Sequence, residues 1–200
     1  MIQYKCARMA QLTSFGEESG WLKIFRHVRI GRDCGELLTR WLGLEYSLKE
    51  ECNMTDYELI KNALAIAKEA HNGQKDKAGA DYIFHPITVA LLCKSAKEKA
   101  VALLHDTLED CADLVSYEML EERIGKEVSD AVRLLTNTGE HGTYLDYVRF
   151  IKDSGNELAI AVKKADLIMN MDLSRIQHPT ADDFKRMETK YKPALKIINA

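Results

Sequence analysis

The chain is short of the features that mark several protein classes. Its 200 residues carry a formal net charge of -3 and a pI near 6.1. The basic excess of a nucleic-acid binder is therefore missing, and no nucleic-acid partner is expected. No apolar run approaches the roughly 18 residues that a membrane helix needs, and the N-terminus lacks the basic-then-apolar pattern of a signal peptide. No membrane partner is expected. The five cysteines, Cys6, Cys34, Cys52, Cys93 and Cys111, form no C-x-x-C pair, and their number is odd. Free thiols in a reducing cytoplasm are the simple reading. No stretch sustains strand alternation, and no internal repeat is visible.

What the sequence does have is a soluble composition, 46% hydrophobic and 30% charged, in a length that suits one domain. Residues 1–53 hold both tryptophans, Trp21 and Trp41, with scattered arginines and little helical period. They read as an N-terminal extension of unknown role, or as sequence upstream of a natural start at Met54. From 54 to 200 nearly everything reads as helix. Thr55 or Asp56 suits an N-cap, and Leu59, Ala63, Ile66, Ala67 and Ala70 form an apolar stripe that leads to His71. After a loop with Gly73 and Gly79, Pro86 suits the first turn of a helix. Further helices are expected over Ala100–Leu108, Leu114–Ile124, Val128–Leu135, Tyr144–Ile151, Leu158–Met171 and Ala181–Ile198.

Polar residues inside these apolar helices point to chemistry. In His105-Asp106-Thr107-Leu108-Glu109-Asp110, residues four apart share a helix face, so His105 lies beneath Glu109 and Asp106 beneath Asp110. Carboxylates this crowded are costly without a cation. A solvated helix terminus explains His-Asp alone, but His71 and Asp166 stand in the same kind of apolar context, with Asn170 four residues beyond Asp166. Two imidazole nitrogens and at least two carboxylate oxygens suit manganese, iron or zinc better than an all-oxygen calcium or magnesium site.

Three segments carry a family resemblance. The stretch from His71-Asn72-Gly73-Gln74 through Gly79, Tyr82-Ile83 and His85-Pro86 resembles the H-x-G-Q…G-x-x-Y-I-x-H-P signature of RelA/SpoT-type hydrolase domains. His105-Asp106-Thr107-Leu108-Glu109-Asp110 is similar to their H-D-T-V-E-D box. Lys164-Ala165-Asp166 with Asn170-Met171 is similar to their K-x-A-D…N-M box. The three occur in the family order. The chain is too short for the family's synthetase domain as well, and so resembles the small stand-alone hydrolases of the alarmone (p)ppGpp.

The resemblance implies an all-α HD-domain phosphohydrolase bundle with one Mn²⁺, with Fe²⁺ or Zn²⁺ as substitutes. It implies metal ligands at His71, His105, Asp106 and Asp166, and catalytic roles for Glu109 and Asp110 in positioning or deprotonating water. Asn170, Tyr144 and Tyr147 are expected near the nucleotide, and Lys75, Lys77 and Arg175 are candidate phosphate partners. His85 is expected to anchor the loop behind the metal site by a hydrogen bond. The implied reaction removes the 3′-diphosphate of (p)ppGpp as pyrophosphate, giving GDP or GTP.

Departures from the family pattern leave alternatives. Asp76 stands where the family loop has arginine, Asp81 where it has proline, and Leu167-Ile168-Met169 where it has Arg-Leu-His. An HD phosphohydrolase acting on another nucleotide is one alternative. A non-catalytic nucleotide sensor is another, although all the expected ligands and both catalytic carboxylates are present.

Overall fold

The computed structural model describes residues 54–76, 79–176 and 178–200, with the side chain of Arg175 not among the described parts. The expectations for residues 1–53 and for Lys77 lie outside these residues. Among those described there are helices and turns but no strand; a single antiparallel bridge joins Lys75 and Asp81. The expected all-α fold is what the chain adopts.

Ten helices follow one another among the described residues: α1 Asp56–Ala70, α2 Phe84–Leu91, α3 Ala96–Leu104, α4 Thr107–Asp110, α5 Tyr117–Ile124, α6 Lys126–Leu135, α7 Tyr144–Asp153, α8 Glu157–Met171, α9 Ala181–Arg186 and α10 Lys192–Asn199. A 3-10 turn spans Leu173–Arg175, and a wide π-type turn over Met187–Tyr191 joins α9 to α10. Local chemistry sets most starts. Thr55, Ser95, Thr143 and Thr180 each close a capping box with the acidic residue three positions on, which satisfies amide groups that the first turn leaves without partners. Gly125, at φ 95°, ends α5 and begins α6 in a conformation other residues rarely adopt.

The core is built around α3. Ala100, Val101, Ala102, Leu103 and Leu104 are all buried, and α1, α2, α6 and α8 pack around them. On α6 the buried Val128, Ala131, Val132 and Leu135 repeat at helical spacing. On α8 the buried face is not purely apolar: Lys163 and Asp166 lie on it beside Val162 and Leu167.

Two expected helices differ from their sequence reading. The helix expected over Ala100–Leu108 breaks after Leu104 and restarts at Thr107. Side chains take the carbonyls that would have continued it: the His105 Nδ1–H donates to the Ala102 oxygen and the Thr107 hydroxyl to the Leu104 oxygen, each at 2.7 Å. His105 and Asp106 therefore sit on a turn between two helices. The last helix is interrupted by the wide turn, four residues ahead of which no proline stands but two residues behind which Pro193 does.

Candidate metal centre

His105 ends α3 with its ring almost wholly buried. A carbonyl can only accept, so the bond to Ala102 fixes a hydrogen on Nδ1 and leaves Nε2 as the nitrogen that can take a proton or a cation. That Nε2 has no hydrogen-bond partner, although it lies 3.0 Å from Asp106 Oδ2, in poor geometry for a hydrogen bond. His71, at the C-terminus of α1, is prepared the same way. Its Nδ1–H donates to Gln74 Oε1 at 2.8 Å, and its Nε2 is buried without a partner. Gln74 is held in that orientation by donating from Nε2 to Cys111 Sγ at 3.3 Å. Two buried imidazole nitrogens without hydrogen-bond partners are expensive features unless something binds them.

The carboxylates come from elsewhere in the chain. Asp166 projects from the buried face of α8, with Oδ1 3.4 Å from His85 Nε2 and 3.9 Å from His105 Nε2. Asp106 Oδ2 lies 3.8 Å from His85 Nε2. Ligand atoms of His85, His105 and Asp166 all fall within 4.8 Å of one another, a group that can hold a metal ion. His85 thus stands in the cluster rather than behind it. Its position at the start of α2, just before Pro86, gave no sign of this in the sequence. His71 adjoins the group through ring contacts: His71 to Tyr82 at 4.9 Å, Tyr82 to His85 at 5.6 Å and His85 to His105 at 5.3 Å between centroids.

The electrostatics call for a positive charge here. Burial works against a charged His105 ring, but Asp106 and Asp166 outweigh it and raise its pKa to about 9. A divalent cation meets the same demand without that proton, and the imidazoles of His85 and His105 with the carboxylates of Asp106 and Asp166 are a fitting donor set for one.

A further layer of side chains orients the carboxylates. The Tyr82 hydroxyl donates to Asp106 Oδ2 at 2.5 Å. Lys163 donates to Asp166 Oδ2 at 3.1 Å and Asn170 to Asp166 Oδ1 at 2.6 Å. Lys163 is itself buried, and its ammonium lies 5.4 Å and 5.3 Å from the ring centroids of Tyr144 and Tyr147. Burial alone would push its pKa down; the Asp166 carboxylate more than reverses this and keeps the ammonium charged. Tyr147 is fixed in turn by donating its hydroxyl hydrogen to the Leu135 carbonyl.

The cluster opens into a cavity of about 440 Å³. Of the residues singled out in the sequence, His105, Asp106, Asp166, Glu109, Lys75, Tyr144, Tyr147 and Asn170 line it. His71 and Asp110 do not, and the Asp110 carboxyl is pushed upward by partial burial and by the charge of Asp106. Glu109 is oriented by the Asn137 amide, which donates to its Oε2 at 2.8 Å. Because α3 and α4 are separate, the proposed stacking of His105 under Glu109 along one helix is replaced by a turn that aims both into the cavity.

Sequence reasoning missed much of the remaining lining: Tyr82, Lys163, Arg186, Lys190 and Tyr191. Lys163 left a signal, being the lysine three residues before Asp166 in an otherwise apolar helix. Arg186, Lys190 and Tyr191 left none, because they follow the recognisable motifs in an exposed, charged segment.

Comparison with known proteins identifies the family. The family model for the HD domain matches residues 63–174, more than half of the chain, and the chain belongs to that family. It is 42% identical over 87 residues to the guanosine-3′,5′-bis(diphosphate) 3′-pyrophosphohydrolase of Aquifex aeolicus, a match covering 42% of this chain and 12% of that protein. It is 31% identical over 134 residues to the bifunctional (p)ppGpp synthase/hydrolase SpoT of Escherichia coli K12, covering 65% of this chain and 18% of that protein. The chain thus spans less than a fifth of these relatives. A solved structure described as a metazoan ortholog of SpoT that hydrolyzes ppGpp superposes with a TM-score of 0.61 at 22% identity, covering 71% of this chain and 86% of that one. This likeness is one of fold. No helix among the described residues is long and apolar enough to cross a membrane.

Proposed function

We propose that the chain is a metal-dependent phosphohydrolase that removes the 3′-diphosphate of (p)ppGpp, releasing pyrophosphate and GDP or GTP. The observation that carries this reading is the cluster of His85, His105 and Asp166 with Asp106 beside it, the buried Nε2 of His105 being without a hydrogen-bond partner, at a cavity whose other lining includes Lys75, Arg186 and Lys190. The names of the relatives supply the nucleotide.

His71, His105, Asp106 and Asp166 would hold Mn²⁺, with His85 close enough to Asp166 to join or replace one of them. When bound, such an ion acidifies water and offsets charge on a departing diphosphate. Glu109, held by the Asn137 amide, faces the cavity and is placed to accept a proton from the attacking water. Asp110, next in sequence and outside the cavity lining, has a carboxyl that holds a proton more readily than usual. Arg186, 3.6 Å from Asp183, and Lys190 supply positive charge for phosphates beside a Lys163 committed to Asp166, and the faces of Tyr144 and Tyr191 offer stacking surfaces for a base.

Pyrophosphate release from ppGpp by the Mn²⁺-loaded protein is the test. Turnover of a different nucleotide with ppGpp untouched would remove the substrate assignment and leave the metal centre standing. One observation favours that second reading. Lys75, at the mouth of the cavity, is paired at 2.5 Å with Asp81, which stands where the family has proline, so its charge is partly committed.

A further inference from the structure

We propose that Pro193 is a positioning residue for phosphate recognition: it forces the wide turn that brings Arg186 and Tyr191 onto one wall of the cavity. This rests on the reading of the cavity as a nucleotide site and assigns a role to a residue outside it.

The chain from Ala181 to Asn199 is helical throughout, with no loop between α9 and α10. Proline inside such a helix has no N–H to give, and its ring collides with the carbonyl four residues back. For Pro193 that carbonyl belongs to Thr189, in the middle of Met187–Tyr191, where the helix widens. There the Lys192 N–H donates to the Met187 carbonyl, five residues back rather than four. The Thr189 hydroxyl turns back to the Lys185 carbonyl at 2.8 Å, a side-chain bond of the kind that bends helices. The proline, the five-residue bond and the back-bonded threonine together account for the turn.

The wide turn changes which residues share a face. In a regular α-helix residues five apart point about 140° away from each other, so Tyr191 would face away from Arg186. A turn closed by five-residue bonds stacks them instead. Arg186, Lys190 and Tyr191 all line the cavity. Lys190 also reaches the cluster's surroundings: its ammonium is 4.1 Å from the Tyr144 ring centroid, and the same ring is 5.4 Å from the ammonium of Lys163.

The turn itself rests on the bundle, with Tyr191 partly buried against the core and the turn in contact with α8, so it is α9 that is free to swing. No residue of α9 or of the wide turn is fully buried, whereas α10 is anchored by the buried Ala194 and Ile198. With one end fixed in the core and the other at the surface, relaxing the turn rotates α9. Arg186, the guanidinium best shaped for two-point contact with a phosphate, then leaves the wall.

The test is Pro193→Ala in the full chain. A crystal structure of the variant is expected to show the Lys192 N–H bonded four residues back, with Arg186 turned out of the cavity. With Mn²⁺ and ppGpp, KM is expected to rise about tenfold, the effect of losing one charge-assisted hydrogen bond, while kcat stays within about twofold. Deleting Thr189, which removes the extra residue of the turn and leaves Pro193 in place, is expected to raise KM in the same way. A Pro193→Ala structure that keeps the five-residue bond overturns the role of the proline. A relaxed helix with unchanged KM overturns its link to recognition. Should ppGpp prove not to be a substrate, calorimetry with inorganic pyrophosphate on the Mn²⁺-loaded proteins separates the two ideas. Weaker binding by the variant supports the register role without the alarmone, and equal binding overturns it.

Discussion

Two walls of one cavity are built on different terms. At the candidate metal centre, His85, His105, Lys163 and Asp166 are all buried, and each has a hydrogen bond or close ionic neighbour that fixes its orientation. Elsewhere on the lining, Arg186, Lys190 and the partly buried Tyr191 belong to a segment with no fully buried residue, placed largely by the pitch of a helix. The first wall couples chemistry to stability, because its charges cannot turn to water when a partner is lost. The second can change recognition and leave the fold alone. Substitutions on the two walls should therefore fail in different ways.

The largest effect is expected at Asp166. Asp166→Asn removes the charge that keeps buried Lys163 compensated and takes one carboxylate from the cluster. Mn²⁺ binding by calorimetry and hydrolysis should both be lost, and urea unfolding of the metal-free protein should show a loss of about 3–5 kcal/mol, as for other broken buried pairs. A variant that keeps its stability while losing the metal would show that Lys163 finds other compensation, and would blur the contrast between the walls.

Glu109→Gln comes next and separates chemistry from binding within the first wall. Glutamine can still accept the Asn137 backbone amide, so the orientation survives while the proposed proton acceptor does not. The expected result is a kcat lower by about 10²–10⁴-fold with Mn²⁺ affinity unchanged. Steady-state kinetics beside a metal titration checks it, and an equal fall in metal affinity would place Glu109 among the ligands instead.

How far the sequence foretold these walls follows from their construction. His105, Asp106 and Asp166 were legible because polar residues in apolar helices need a reason to be there, and the residues around them match a family pattern. His85 was not, because a histidine before a helix-opening proline has an adequate local explanation and only tertiary packing of α2 against α8 brings it to Asp166. The break between Leu104 and Thr107 was hidden for a related reason. An apolar run reads as one helix until the side chains of His105 and Thr107 are seen to take its carbonyls. The C-terminal wall was least legible, since its placement depends on a wide turn that hydrophobic period does not register.

Tyr82→Phe probes the outer support of the cluster. It removes the hydroxyl that holds Asp106 Oδ2 but keeps the ring between His71 and His85. Mn²⁺ affinity is expected to fall about 10–100-fold, the usual consequence of losing a group that orients a metal ligand. Thermal stability should change little, since the ring packing is preserved. An unchanged Kd for Mn²⁺ would mean that Asp106 does not depend on the Tyr82 hydroxyl for its orientation.

The smallest effect is a control on the whole comparison. Ser116 caps α5 by accepting the Met119 amide at 3.2 Å, and α5 packs on α6 and α1 without contributing a residue to the cavity lining. Ser116→Ala should lower stability by about 1 kcal/mol through the lost cap. KM, kcat and Mn²⁺ affinity should all be unmoved. If they shift with stability, then loss of stability anywhere in the bundle loosens the site, and the coupling assigned to the buried wall is a property of the fold at large. If they hold, the coupling is local, and it resides in the few buried side chains that surround Asp166.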